Sequence, residues 1–156
     1  MNDAVITFFA SFLIWFMFLG LVVLWVVDGK IKREQSLHAL ASSTIAWVLA
    51  EMLKSFIPVV RPFHLNGMEP LTLTIPSGHA FPSSHAAVAF ALAMTIWLHD
   101  KKIGTVYLVA ATMVGVARIA ANVHFPIDII GGAVIGITVA YFVENIHFSK
   151  LVGKFR

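Results

Sequence analysis

From Ala4 to Val27 the chain runs without a single charged side chain. A helix rises about 1.5 Å per residue, so this stretch exceeds a hydrocarbon core of roughly 30 Å. An uncharged run of that length reads as a membrane span, and it sets the solvent in which the rest of the chain has to fold. Composition agrees, since 59% of the 156 residues are apolar and 12% are charged, against about a quarter charged in soluble domains. Eight acids and eleven bases cannot wet a soluble globule of this size. Disorder, a coiled coil, a disulfide framework and a thiol-metal site are excluded together, the last two because the chain has no Cys. The net charge of +3 does not point to nucleic acid, because the bases are scattered through short loops and form no basic face interleaved with aromatics. The opening Met1-Asn2-Asp3 lacks the basic start of a cleavable signal peptide, so the first segment is expected to be retained.

Four more apolar runs follow: Ser36 to Pro58, Ser84 to Leu98, Ile103 to Ala121, and Pro126 to Phe142. The expected fold is therefore all-α, an integral membrane helical bundle with about five transmembrane helices. It is expected to form one domain over residues 1–156, with one long connection from Val59 to Ser83. Basic residues in short loops stay cytoplasmic. Lys30, Lys32 and Arg33, then Lys101 and Lys102, then Lys150, Lys154 and Arg156 all fall on one side of this arrangement, which accounts for eight of the eleven bases. The N-terminus, the Val59 to Ser83 connection and the turn Asn122 to Phe125 are then extracytoplasmic, in the plasma or inner membrane. Lys54, Arg61 and Arg118 remain at that outer face, against the usual bias, and each needs its own explanation.

They have company there. Lys54 stands seven residues before Arg61-Pro62; Pro82-Ser83-Ser84-His85 opens the third apolar run; Arg118 is followed by His124 and Asp128. A phosphoryl group in transfer spreads negative charge over its oxygens, and three cations can stabilise it without a metal. Arginine offers a planar fork of donors suited to phosphate, and lysine a point charge. The N–H groups of Ser83, Ser84 and His85 at a helix start are expected to form an anion site, with His85 placed to protonate a leaving oxygen. His124 and Asp128 are four apart around Pro126. In helical geometry the carboxylate can accept from one imidazole nitrogen and leave the other to attack phosphorus. The expected roles are His124 as nucleophile, His85 as acid and Asp128 as orienter, with Lys54, Arg61, Ser83, Ser84 and Arg118 binding phosphate.

In these three stretches the chain resembles the type 2 phosphatidic acid phosphatase family, membrane lipid phosphatases that share a fold with vanadium haloperoxidases. The family signatures are Lys-x6-Arg-Pro, Pro-Ser-Gly-His and Ser-Arg-x5-His-x3-Asp. Lys54 to Pro62 matches the first, and Arg118 to Asp128 matches the third with Ala117 in place of Ser. The second occurs twice, literally at Pro76-Ser77-Gly78-His79 and with Ser for Gly at Pro82 to His85. His85 is preferred because an uninterrupted apolar helix starts directly after it, whereas Pro82 interrupts any helix from His79. His79 stays open between a loop histidine and a substrate contact. Phe-Pro-Ser-x-His-Ala also resembles the form found in bacterial undecaprenyl-diphosphate phosphatases of the family. The resemblance implies a histidine nucleophile, a histidine acid and no metal or other cofactor. Members usually have six spans, and on this reading the helix that would precede Ala4 is absent, which leaves the lipid entry and a homo-oligomer open.

Simpler roles compete. Lys54 alone reads as a snorkelling lysine, but its spacing to Arg61-Pro62 favours the site. Glu51, one turn before Lys54, reads mainly as its structural partner. His38, His99 and His147 read as interfacial residues without chemistry. Gly131, Gly132 and Gly136 read as a helix-packing seam. A metal held by His79, His85, His124 and Asp128 is set aside, there being no short-range motif such as His-Glu-x-x-His. The expected substrate is a lipid phosphate or diphosphate, first of all undecaprenyl diphosphate, with phosphatidic acid or phosphatidylglycerophosphate as the alternative. A catalytically silent transporter or scaffold is the non-enzyme alternative. Membrane lipids are the other expected partners. Topology is directly checkable: a reporter fused after Arg156 is expected on the cytoplasmic side, and an extracytoplasmic signal would invert the whole assignment.

Overall fold

The computed structural model describes residues 2–26 and 33–145. Lys30, Lys32, Lys150, Lys154, Arg156 and His147, with the C-terminus expected to be cytoplasmic, lie outside the described residues, as does the side chain of Arg33. All regular structure among the described residues is helical: α1 Asp3–Ser11, α2 Leu13–Val26, α3 Arg33–Phe56, α4 Pro62–Asn66, α5 Ser84–His99, α6 Lys101–Ala120 and α7 Pro126–Glu144. Three of these, α3, α6 and α7, are long and apolar enough to cross a membrane, and the α1–α2 pair makes a fourth if it is counted as one bent span.

Two sequence expectations change here. The first span is not one helix, because α1 and α2 meet at an angle of 49° around Phe12. A side chain enters the ladder at that point: Arg118 Nη1 donates to the Ala10 carbonyl at 3.2 Å. In a straight helix that carbonyl would accept the Ile14 N–H, and intrusions of this kind bend helices. Ser11 Oγ is engaged as well, accepting the Leu73 N–H at 3.1 Å. The long connection also carries a short helix, α4, which the sequence pattern did not announce; Pro62 opens it at its first turn and Gly67 closes it with φ 68°.

α5, with 16 residues, spans only about 24 Å at 1.5 Å per residue. It is the central helix, enclosed by α3, α6 and α7, so its surface meets protein and not lipid. Its sequence explains this position. Ala86, Ala87, Ala89, Ala91 and Ala93 are all fully buried, and small side chains let neighbouring backbones come close. The expected glycine seam on α7 faces it: a Cβ on Gly132 would stand 2.4 Å from the Ser83 carbonyl oxygen, and one on Gly136 would stand 2.3 Å from that of Ala87. On the other side Ser42 and Thr95 share a buried hydroxyl bond of 2.8 Å. The large apolar side chains point outward instead, among them Trp15, Leu19, Val106, Val134 and Phe142, which is how a chain dissolved in lipid distributes its bulk.

The turns set the helices in register. Asp100 alone joins α5 to α6, its carboxylate accepting from the N–H groups of Lys102 at 2.8 Å and Ile103 at 3.0 Å. Asn122 turns the chain from α6 toward α7 with φ 63°, a left-handed conformation that asparagine tolerates, and its side-chain amide pairs with Asn66 at 2.8 and 3.0 Å. As a result the end of α3, the start of α5, the end of α6 and the start of α7 all lie at one end of the bundle. The packing predicts that Gly136→Ala lowers the unfolding temperature in detergent, at a cost of about 1–3 kcal/mol for overpacking. Gly131→Ala should cost less, because the obstacle there is the edge of the Phe81 ring, which can turn. Equal Tm values for the two variants would contradict the seam.

Candidate active site

That end of the bundle gathers the charged residues. Lys54 comes from the last turn of α3, Arg61 from the residue that precedes α4, Ser84 and His85 from the first turn of α5, Arg118 from the last turn of α6, and His124 from the turn before α7. Together they line one cavity of about 680 Å³ with Glu51. An apolar wall is made by Ile14, Trp15 and Phe18 of α2, Trp47 of α3 and Val88 of α5, and Ser43, Thr44, Pro76 and Ser77 complete the lining. Ser43 and Lys54 both line it, so it follows α3 for about 16 Å at 1.5 Å per residue. A charged head and an apolar body of this length suit an amphiphile.

Arg61 is the most tightly held cation. Its Nε donates to the Gly78 carbonyl at 3.0 Å, Nη2 to that of Ser77 at 3.1 Å, and Nη1 to that of Val123 at 3.1 Å. The literal Pro76-Ser77-Gly78-His79 stretch thus serves as a carbonyl cradle for Arg61, and Gly78 at φ 71° turns the cradle. Three of the five guanidinium N–H groups are used in this way, a fourth faces His124, and one remains to meet an anion. Burial pulls the Arg61 pKa below its usual value, with Asp128 and Glu51 working in the opposite direction, but a guanidinium stays charged under any such shift.

His124 is buried and held at both nitrogens. Nδ1 lies 3.3 Å from Asp128 Oδ2, and Nε2 lies 3.4 Å from Arg61 Nη1. Since a guanidinium can only donate and a carboxylate can only accept, these partners put the proton on Nδ1 and the lone pair on Nε2. Asp128 Oδ2 is itself fixed by the Phe125 N–H at 2.7 Å. Burial is the largest influence on the His124 pKa and lowers it to about 4; the Asp128 hydrogen bond opposes the shift, and Arg118 and Arg61 add to it. The ring is therefore neutral across the physiological range.

Lys54 Nζ donates to Glu51 Oε1 at 2.8 Å and to Ser84 Oγ at 2.6 Å, and Ser84 Oγ donates to the same carboxylate oxygen at 2.5 Å. Glu51 is thus part of the cavity wall, joining α3 to α5, and not only the helical partner of Lys54; the spacing of three was the only trace of this in the sequence. Arg118 Nε has no hydrogen-bond partner among the described residues, while Nη1 holds Ala10.

One expectation about the second motif needs correction. Ser83 does not offer its N–H to an anion, because that group donates to the Asp128 carbonyl at 3.0 Å. Its side chain is fully buried and caps α5 by accepting from the Ala86 N–H at 3.4 Å. Of the two motif histidines, His85 lines the cavity and His79 is exposed outside it.

The PAP2 superfamily profile matches residues 35–151, so the chain belongs to that superfamily, and the class of protein that fold and site define is a membrane lipid phosphatase. It is 32% identical over 143 residues, 92% of this chain and 70% of the relative, to the bacitracin transport permease protein BcrC of Bacillus licheniformis. Identity to the undecaprenyl-diphosphatase BcrC of Bacillus subtilis is 24% over 153 residues, 98% of this chain and 78% of that one. Among solved structures, the crystal structure of Aquifex aeolicus LpxE superposes with a TM-score of 0.77 at 29% identity, covering 92% of this chain and 86% of that one.

The burial of His124 has a measurable consequence. In a histidine-resolved NMR titration, its ring is expected to stay neutral at pH 5 and to take up a proton only as pH falls to about 4. A midpoint near the ordinary value of about 6.5 would show that the site is far wetter than this geometry.

Proposed function

We propose that the chain hydrolyses undecaprenyl diphosphate to undecaprenyl phosphate and inorganic phosphate, working as one domain over residues 1–156 at the extracytoplasmic face of the cell membrane. The observation that carries this reading is His124, whose Nδ1 faces Asp128 and whose Nε2 faces the Arg61 cradle at the charged end of a cavity with an apolar wall. A ligand site for phosphate needs the cations but has little use for a carboxylate-oriented, neutral imidazole.

In the first step, Nε2 of His124 attacks the terminal phosphorus and the bond to the bridging oxygen breaks. The electron pair leaves on that oxygen, which takes a proton from His85. The leaving group is a phosphomonoester, more stable than an alkoxide, so little is asked of His85. Lys54, Arg61 and Arg118 stabilise the charge on the transferring group. In the second step, water attacks the phosphohistidine, His85 takes its proton, and phosphate departs while Nε2 regains its lone pair. Asp128 holds the tautomer throughout, as the orienting carboxylate does in other nucleophile–histidine sites. Of the two Bacillus relatives, the name of the Bacillus subtilis protein supports the diphosphate over phosphatidic acid. The transport function named for one of them supports a silent carrier instead, and that reading shares the cations but not the need for His124.

Untagged protein in detergent with excess EDTA should release phosphate from undecaprenyl diphosphate, and more slowly from phosphatidic acid. His124→Ala should lose about 10⁴-fold or more in kcat. Arg118→Ala should lose about 10²–10³-fold, the cost of removing one charge-stabilising donor. Unchanged turnover in His124→Ala would overturn the mechanism, a faster phosphatidic acid reaction would overturn the substrate, and retained binding without turnover in the unaltered protein would favour the carrier.

A further inference from the structure

At the opposite end of the bundle three helices bring together side chains that are far apart in the chain: His38 in the first turns of α3, His99 at the end of α5 and Glu144 at the end of α7. Both α5 and α7 have their catalytic ends at the other side. Since 14 residues separate His85 from His99, the two sites are about 21 Å apart along α5 at 1.5 Å per residue. The catalytic reaction has no use for this second group, and the sequence pattern assigned these histidines no chemistry.

His38 Nδ1 lies 3.4 Å from Glu144 Oε2, and His99 Nε2 lies 3.0 Å from the same oxygen. The two rings are nearly parallel, at 15°, with centroids 6.0 Å apart. One donor atom from each residue falls within 4.8 Å of the others. In a tetrahedral zinc site, with bonds of about 2.0–2.1 Å, donor atoms stand roughly 3.4 Å apart, so the three are already close to the spacing that an ion requires. The donor set is also selective. Two imidazoles and one carboxylate suit zinc-class transition metals, whereas Mg²⁺ and Ca²⁺ prefer oxygen ligands. Placement adds to this: the His38 side chain is 5% exposed and that of His99 17%, so this is not a wet surface patch of acids.

We propose that His38, His99 and Glu144 bind one zinc-class divalent ion, which clasps α3, α5 and α7 at the end of the bundle away from the phosphate site. The ion takes Nδ1 of His38, Nε2 of His99 and a carboxylate oxygen of Glu144, and a fourth position is filled by water or another donor. Binding requires neutral imidazoles and displaces any proton they share with Glu144. The consequence is mechanical. α5 carries Ser84 and His85 at its other end and α7 carries Asp128, so the ion fastens the helices that present the catalytic groups without touching the reaction.

The test uses full-length, untagged protein in detergent, stripped with EDTA and then freed of it. Co²⁺ should bind at one equivalent per chain, with the visible absorption of a four- or five-coordinate nitrogen–oxygen site, and Zn²⁺ should displace it. Zn²⁺ should also raise Tm in proportion to its saturation. His38→Gln and His99→Gln should each weaken Co²⁺ binding by about 100-fold or more, as befits loss of a direct ligand where an outer-shell loss costs 10–100-fold. His85→Ala and His124→Ala should bind as the unaltered protein does, which separates this site from the catalytic histidines. Glu144→Asp keeps the carboxylate and the helix ends, so weakened binding with an unchanged metal-free Tm would support the site even if the histidine variants fail to fold. Absence of stoichiometric Co²⁺ binding in the unaltered protein would overturn the proposal. So would binding that survives the combined loss of His38 and His99.

Discussion

One buried residue ties the working end of this protein together. Asp128 is fully buried, and its two ends face different elements. Its carbonyl accepts the Ser83 N–H, which positions the start of α5. Its Oδ2 accepts the Phe125 N–H, which closes the first turn of α7, and faces Nδ1 of His124. A buried carboxylate left without donors would be costly, so the Oδ2 bonds are compulsory and local structure forms around them. Loss of the Asp128 side chain would therefore disturb the α6–α7 turn and His124 together, while the main-chain bond that positions α5 would remain.

The cations follow the same logic with opposite sign. Lys54, Arg61 and Arg118 line one cavity beside two carboxylates, Glu51 and Asp128, and a neutral imidazole. The excess positive charge in a partly dry site favours a multiply charged anion. Each cation also has a structural bond. Lys54 joins α3 to α5 through Ser84 and Glu51, Arg61 gathers the connection around its guanidinium, and Arg118 bends the first span at Ala10. Proposed binding site and scaffold are made of the same side chains, so the groups proposed to meet phosphate are held in place before any ligand arrives.

Much of this was legible in the chain. The uncharged run from Ala4, the three leftover bases and the spacing of His124 and Asp128 led to a helical membrane protein with its spare cations gathered at one end, because span length and charge scarcity are local properties. Other features were not legible. The bend at Phe12 comes from Arg118, more than a hundred residues away. The use of Ser77 and Gly78 as a cradle depends on where Arg61 lies, so the literal motif and the one that opens α5 could be told apart only in part. The N–H of Ser83 looked free for an anion because its acceptor, the Asp128 carbonyl, belongs to another helix.

What the sequence determined by itself was the solvent, the helical class and the chemical kinds of side chain available, since these follow from hydropathy, from the backbone's need to satisfy its own polar groups in lipid, and from residue type. Tertiary structure decided which of those side chains meet. Alanines on α5 and glycines on α7 let the backbones approach until carbonyls lie 2.3–2.4 Å from where a Cβ would stand, and that closeness carries Asp128 to Ser83 at one end and Glu144 to His99 at the other. No local pattern encodes such meetings, because each depends on the distance between helices that are separated in the chain by a turn or by another helix.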